Sequence, residues 1–229
     1  MSLPTPYYDR DGITIYHGDC REIVPALDGI NAVVTDPPYG VSFEGKNTKH
    51  TMRRESGYIA LDDSPEYVAT VVVPIIQQFV DAGLRVVMTP GLRNMFAYPK
   101  PDGVGTIFYP SGAGLGRWGF TCSQPIFYYG KDPYLATGQG HRPDSFSTTE
   151  AAPDNGHPCP KPIKTMRWLV NKASLPGETI LDPFMGSGTT IRAAKDLGRK
   201  AIGIEIEEQY CEIAVRRLSQ QVLPGMEAA

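Results

Sequence analysis

The sequence predicts an α/β chain: one mostly parallel sheet with helices on both faces and an antiparallel strand toward one edge. Short, continuously apolar runs at Ala32–Thr35, Arg85–Met88, Thr179–Asp182 and 201–204 suit strands buried on both faces. Stretches with a single apolar helical face lie between several of them, as crossover connections require. Two strand-like runs, 105–109 and 125–129, are joined without any long helical pattern, which predicts an antiparallel pair. At 229 residues the chain can bury one substantial core. No repeat, low-complexity tract or linker divides it, so residues 1–229 read as one domain.

The elements follow in order. Ile13–His17 alternates like a strand and ends at Gly18-Asp19-Cys20, after which 21–27 fits one or two helical turns with Asp19 as N-cap. The run Ala32–Thr35 delivers Asp36-Pro37-Pro38-Tyr39 directly into a loop. Ser64-Pro65 reads as N-cap and first helical residue; Val68, Val71, Val72, Ile75, Ile76 and Phe79 share one face, and Gly83 closes the helix. Pro74 inside this pattern predicts a kink. A short helix is expected over 91–97, and 110–124 is a glycine-rich connector holding Arg117 and Trp118. Residues 131–156 read as polar loop. Beyond Pro162, Ile163, Met166, Leu169 and Val170 mark a helix. The strand at Thr179–Asp182 leads through a glycine loop into a helix ending at Gly198, and 201–204 ends in Glu205. A last helix spans 207–218, with Arg216 and Arg217 suited to its C-terminal dipole.

Two of these strand ends carry chemistry. Asp36-Pro37-Pro38-Tyr39 brings a carboxylate, a proline carbonyl and an aromatic ring to one point, a set that fits a flat, weakly nucleophilic exocyclic amine. At the other, Gly186 and Gly188 let the backbone approach a ligand, and the following helix start offers free N–H groups. Glu205 lies at the separation where doubly wound folds place an acid on ribose hydroxyls.

Asp36-Pro37-Pro38-Tyr39 resembles the catalytic motif of the DNA amino-methyltransferases, which methylate N6 of adenine or N4 of cytosine. Leu181-Asp182-Pro183-Phe184-Met185-Gly186-Ser187-Gly188 resembles their S-adenosylmethionine (SAM) loop, and His157-Pro158-Cys159-Pro160-Lys161-Pro162 resembles the His-Pro-x-x-Lys-Pro segment ahead of it. The catalytic motif precedes the cofactor loop, the circularly permuted order of the beta class; release-factor glutamine methyltransferases have the opposite order and an Asn in the motif. The resemblance implies a Rossmann-like methyltransferase fold with a catalytic half of about 1–130, a short recognition region of about 131–156 and a SAM-binding half of about 157–220. It implies SAM as cofactor and double-stranded DNA as partner, with a flipped target base and possible homodimers.

By the same resemblance Asp36, Pro37, Pro38 and Tyr39 are the catalytic residues. Asp19, with Cys20 beside it, is expected at the cofactor adenine and Glu205 at the ribose. Asp182 is expected at the ammonium, Phe184 near the methionine end, Lys161 and Thr189 at the carboxylate, and Gly186, Ser187 and Gly188 in the loop. Asp rather than Ser at position 36 leans toward adenine. Cytosine-N4 transfer is the alternative, as is a non-catalytic SAM- or DNA-binding relative. Cys159 after Pro158 invites a cytosine-C5 mechanism, but it lies inside the third motif, and the amine route needs no covalent intermediate.

A net charge of −3 sits poorly with a polyanionic partner, so the basic residues matter by position. Lys46, Lys49, Arg53 and Arg54 follow the catalytic motif and are expected to clamp DNA; Arg117 and Arg142 are further DNA-binding candidates, with Trp118 able to stack on a base or simply to pack its loop. The four Cys and four His are scattered, which predicts neither a metal site nor a disulfide framework. No run approaches a membrane span and the N-terminus lacks a signal pattern, so a cytoplasmic protein is expected.

Overall fold

In a computed structural model of the chain, residues 2–41, 63–112, 114–151 and 161–220 are described. The elements run β1 (Tyr8–Arg10), β2 (Ile13–His17), α1 (Cys20–Ile23), β3 (Ala32–Thr35), α2 (Pro65–Tyr67), α3 (Val73–Asp81), β4 (Arg85–Met88), β5 (Gly103–Phe108), β6 (Gly114–Gly116) and β7 (Gly119–Thr121). They continue with β8 (Ser123–Tyr129), α4 (Pro133–Ala136), β9 (Phe146–Ser147), α5 (Ile163–Ala173), β10 (Thr179–Asp182), α6 (Thr189–Asp196), β11 (Lys200–Glu205) and α7 (Glu208–Ser219).

Nine strands form one sheet in the order β1-β2-β11-β10-β3-β4-β8-β5-β9. The strands β2, β11, β10, β3 and β4 pair in parallel, while β8 runs against both β4 and β5. This is the α/β architecture expected, with the inverted strand where the helix-free connection predicts it. A third antiparallel contact, β1 on β2, closes the opposite edge.

Strand β3 shows why the apolar runs carry no alternation. Ala32 and Val34 face one core, with Met166, Leu169 and Val170 of α5 and Ile191 of α6, whereas Val33 faces the other, with Ile75, Ile76 and Phe79 of α3. A strand covered by helices on both faces buries every side chain, so both of its faces must be apolar.

Three local differences from the sequence expectation have physical causes. Pro74 lies in the first turn of α3 and is preceded by a wide π-type turn over Val68–Val72, in which the Val73 amide donates to the Val68 carbonyl. The proline's missing N–H and its ring are thus absorbed by a local widening. The 110–124 connector contains the β6–β7 hairpin, which forms its own two-stranded sheet. Within the 131–156 stretch, Asp132 caps α4 through the Tyr134 and Leu135 amides, and β9 adds to the sheet edge on β5. Such short elements carry too little periodicity to register in sequence. Among the described residues no helix is long and apolar enough to cross a membrane.

Candidate active site

The topology reverses between β10 and β3. From β3 the chain proceeds outward to β4, and from β10 it proceeds the other way to β11. Parallel sheets bind ligands beyond the strand carboxyl ends at such a switch point. Because β10 and β3 are direct neighbours, paired Ile180 to Ala32 and Leu181 to Val33, the two motif-bearing strand ends emerge side by side. The Thr35 hydroxyl donates to Asp182 Oδ1 at 2.7 Å, both residues being buried, and ties the two loops together.

On the β3 side, Asp36 Oδ1 accepts from the hydroxyls of Tyr39 and Thr89. Asp36 Oδ2 faces the Lys161 ammonium at 2.9 Å, with the two side chains 18% and 15% exposed. Gln124 of β8 donates its amide to the Tyr39 hydroxyl, and Asn94 donates to the Tyr39 carbonyl at 2.7 Å. Gly91, at φ +69°, supports the ring from below: a Cβ there would lie 2.8 Å from the Tyr39 ring carbons. The Lys161 ammonium stands 5.0 Å over the same ring. Burial works against the charge on Lys161, but the Asp36 carboxylate and Tyr39 outweigh it and hold the amine above its ordinary range. Burial, and next the Asp36 charge, also push the Tyr39 phenol up, so Tyr39 acts as a neutral donor.

On the β10 side, Asp182 Oδ1 also accepts from the Phe184 amide at 3.1 Å, and Thr190 bonds the same carboxylate. Burial pushes the Asp182 carboxyl up to about 6. Glu205, at the end of β11, accepts the Gly186 amide through Oε2 and the Glu207 amide through Oε1, each at 2.9 Å. Burial likewise lifts its carboxyl to about 7. Gly188 starts α6 at φ +74°, and a Cβ there would lie 2.6 Å from the Ala214 Cβ of α7, so the loop closes only with glycine. Two buried carboxylates beside a glycine loop and a helix start fit a ligand with cationic and hydroxyl groups.

The other expected residues fall as follows. Asp19 lies at the same rim, since Gly18 donates to the Glu205 carbonyl at 2.9 Å. It caps α1 through the Arg21 amide and pairs with the Arg21 guanidinium at 2.5 Å. Cys20 is buried in the core, and burial pushes its thiol up to about 12, leaving its backbone as the part able to meet a ligand. Thr189 accepts from Arg217, and Ser187 is buried within the loop. Lys161, expected at the cofactor carboxylate, has its ammonium on Asp36, beside the β3 strand end. Arg142, a DNA-binding candidate, has its guanidinium on Asp132, on the Asn171 and Lys172 carbonyls and over the face of Tyr134. Arg117 is exposed in the β6–β7 turn. Lys46, Lys49, Arg53, Arg54 and the segment 157–160 lie outside the described residues. Sequence reasoning passed over Thr35, Thr89, Asn94 and Gln124; Thr35 and Thr89 share one signal, a hydroxyl closing or following an apolar strand.

Fold and site together define a Rossmann-like α/β sheet in which the Asp36–Tyr39 strand end opens beside a glycine loop. Residues 118–216 match the N6/N4 DNA methylase family. The type II methyltransferase M.ScaI of Streptomyces caespitosus is 26% identical over 96% of this chain and 86% of its own length. Among solved structures, the cytosine-N4-specific PvuII DNA methyltransferase superposes with a TM-score of 0.66 at 16% identity, over 95% of this chain and 90% of that one. The M1.HpyAVI–SAM complex superposes with a TM-score of 0.61 at 19% identity, over 91% and 100%. The chain is thus similar to the N6/N4 DNA methyltransferases, and it carries the Asp36 strand end ahead of the glycine loop that follows β10.

Proposed function

We propose that this chain transfers the methyl group of SAM to the exocyclic N6 amine of adenine in duplex DNA. The observation that carries the reading is the Thr35–Asp182 bond, which sets the Asp36 strand end directly against the cofactor loop.

SAM supplies a methyl group activated on a sulfonium. The chain's own residues hold and orient what it reacts with. An adenine amine has its lone pair delocalised into the ring, and hydrogen bonds from both N–H groups favour a pyramidal nitrogen. Asp36 Oδ1 already accepts two hydroxyls, whereas Oδ2 has one charged neighbour and retains acceptor capacity for an amine N–H. The Pro37 carbonyl is the second acceptor. The Asp36 charge then stabilises the positive charge that develops on nitrogen. Tyr39 stacks on the base after the Lys161 ammonium swings off its ring. In the cofactor crevice Asp182 takes the ammonium, Glu205 the ribose hydroxyls and Asp19 the adenine; Phe184 lies near the methionine end and Thr189 near its carboxylate. Because a paired amine is hidden, the target base is flipped out at a cost of a few kcal/mol, recovered by stacking and edge contacts.

Asp at position 36 favours adenine over cytosine. Incubating genomic duplex DNA with radiolabelled SAM and digesting it to nucleosides tests the reading. N6-methyladenine is the expected labelled product, absent with Asp36→Ala; N4-methylcytosine alone would reject the adenine assignment. No transfer to any DNA would reject the catalytic reading.

A further inference from the structure

The β6–β7 hairpin leaves three large apolar side chains in solvent. Trp118 is fully exposed, and Leu115 and Phe120, paired across the two strands, are 83% and 77% exposed. Among the described residues the hairpin pairs with no other strand. An isolated two-stranded ribbon is marginal in water, and three bare apolar groups give it no core.

Its position is fixed by register. Strand β5 runs in the direction of β3 and β4, because both β5 and β4 lie antiparallel to β8. Its last residue, Phe108, therefore reaches the same rim of the sheet as Thr35, and the hairpin rises from that rim. At the hairpin's root Tyr109 and Cys122 are joined by a backbone bond of 2.7 Å, and Gln124, two residues beyond Cys122, holds the Tyr39 hydroxyl. The root is therefore part of the catalytic network.

Its charge points to an anionic partner. The chain holds 25 Asp and Glu in all, yet none between positions 103 and 131, where Arg117 and Lys131 are the charged residues. Arg117 and Trp118 occupy the turn between Gly116 and Gly119, so a guanidinium and an indole are presented side by side at the tip.

Resting on the methyltransferase reading, we propose that this hairpin is a stacking wedge for duplex DNA. Trp118 enters the base stack at the gap left by the extruded target base, and Arg117 takes a flanking phosphate. An indole offers every base a π-face and so fills the gap without selecting sequence. Extruding a base costs least where the pair is already mismatched, so a wedge matters most at a correctly paired target.

The test uses the full chain with two readouts. In the first, tryptophan fluorescence is titrated with a mixed-sequence duplex in the presence of sinefungin. Quenching is expected from Trp118 stacking and is expected to vanish in Trp118→Phe, since Trp168 is stacked internally on Phe146. In the second, kcat/KM is compared on oligonucleotide duplexes carrying the mapped site with the target correctly paired or mispaired. Trp118→Ala is expected to lose roughly tenfold or more on the paired duplex, the scale of one base–aromatic stack, and to regain most of it on the mispaired one. Equal loss on both duplexes, no loss on either, or no DNA-dependent quenching overturns the wedge. A Trp118→Ala protein that changes from dimer to monomer by analytical ultracentrifugation, with DNA quenching absent in the wild type, overturns it in favour of an interface between two copies. A wild-type chain that transfers no methyl group but still shows Trp118 quenching refutes the enzymatic reading and leaves the DNA contact standing.

Discussion

Replacing Thr35 by Val removes one hydroxyl from the seam between the catalytic and cofactor strands and leaves the side-chain outline nearly intact. The bond it deletes is 2.7 Å long and joins two residues at most 1% exposed. Its acceptor, Asp182, keeps the Phe184 amide and Thr190, so the carboxylate is not stranded. With the carboxyl lifted to about 6, Asp182 is ionised at pH 8 and the lost bond is charge-assisted, costing about 2 kcal/mol. At pH 5 the folded-state carboxyl is protonated, the bond is between neutral groups, and its loss costs about 1 kcal/mol. The sign follows from linkage. A carboxyl raised above its ordinary 3.8 binds more protons in the folded chain, so its contribution to stability grows as pH falls through 6 toward 4. Urea unfolding of wild type and Thr35→Val at both pH values measures the difference. A loss that is the same at pH 5 and pH 8, or no loss at all, would refute the claim that Thr35 anchors an ionisable, buried Asp182.

Two further outcomes follow from the same geometry. Lys161→Met leaves a largely buried Asp36 carboxylate held by two hydroxyls alone, and should lower stability by about 1–3 kcal/mol, read as a shift in urea midpoint without a change in slope. An unshifted midpoint would mean that the pair is worth nothing. Asp182 near 6 and Glu205 near 7 are both held protonated by burial at acid pH, while their assigned partners on SAM need the carboxylates. SAM affinity should therefore rise from pH 5.5 to pH 8, by up to about tenfold per pH unit below each pKa, with protons released on binding in calorimetry. A flat profile would remove at least one of them from the cofactor contacts.

The two candidate motifs were legible because each is carried by contiguous residues. Asp36 to Tyr39 and Asp182 to Gly188 each follow an apolar strand, and strand pattern plus motif suffices to read them. What joins them was not legible. Thr35 meets Asp182 across 147 positions, and the Lys161 contact on Asp36 crosses from one half of the chain to the other. Neither has a local signature, because strand adjacency is a property of the sheet order. Arg142 reads as a free cation in a polar stretch, yet Asp132 and two backbone carbonyls on α5 consume its donors. For Trp118 the sequence left packing and stacking equally open. Only the sheet register shows that its hairpin stands clear of every core, on the catalytic rim.

A crystal structure of the full chain with sinefungin bound locates the cofactor relative to Asp36. The expected placement has the cofactor's amino acid end between Asp182 and Phe184, its ribose at Glu205, and its reactive end turned toward Asp36 and the Pro37 carbonyl. An analogue seated elsewhere, such as the cavity between Arg85, Asp102 and Lys172 at the opposite end of the strands, or one whose reactive end points away from Asp36, would contradict it.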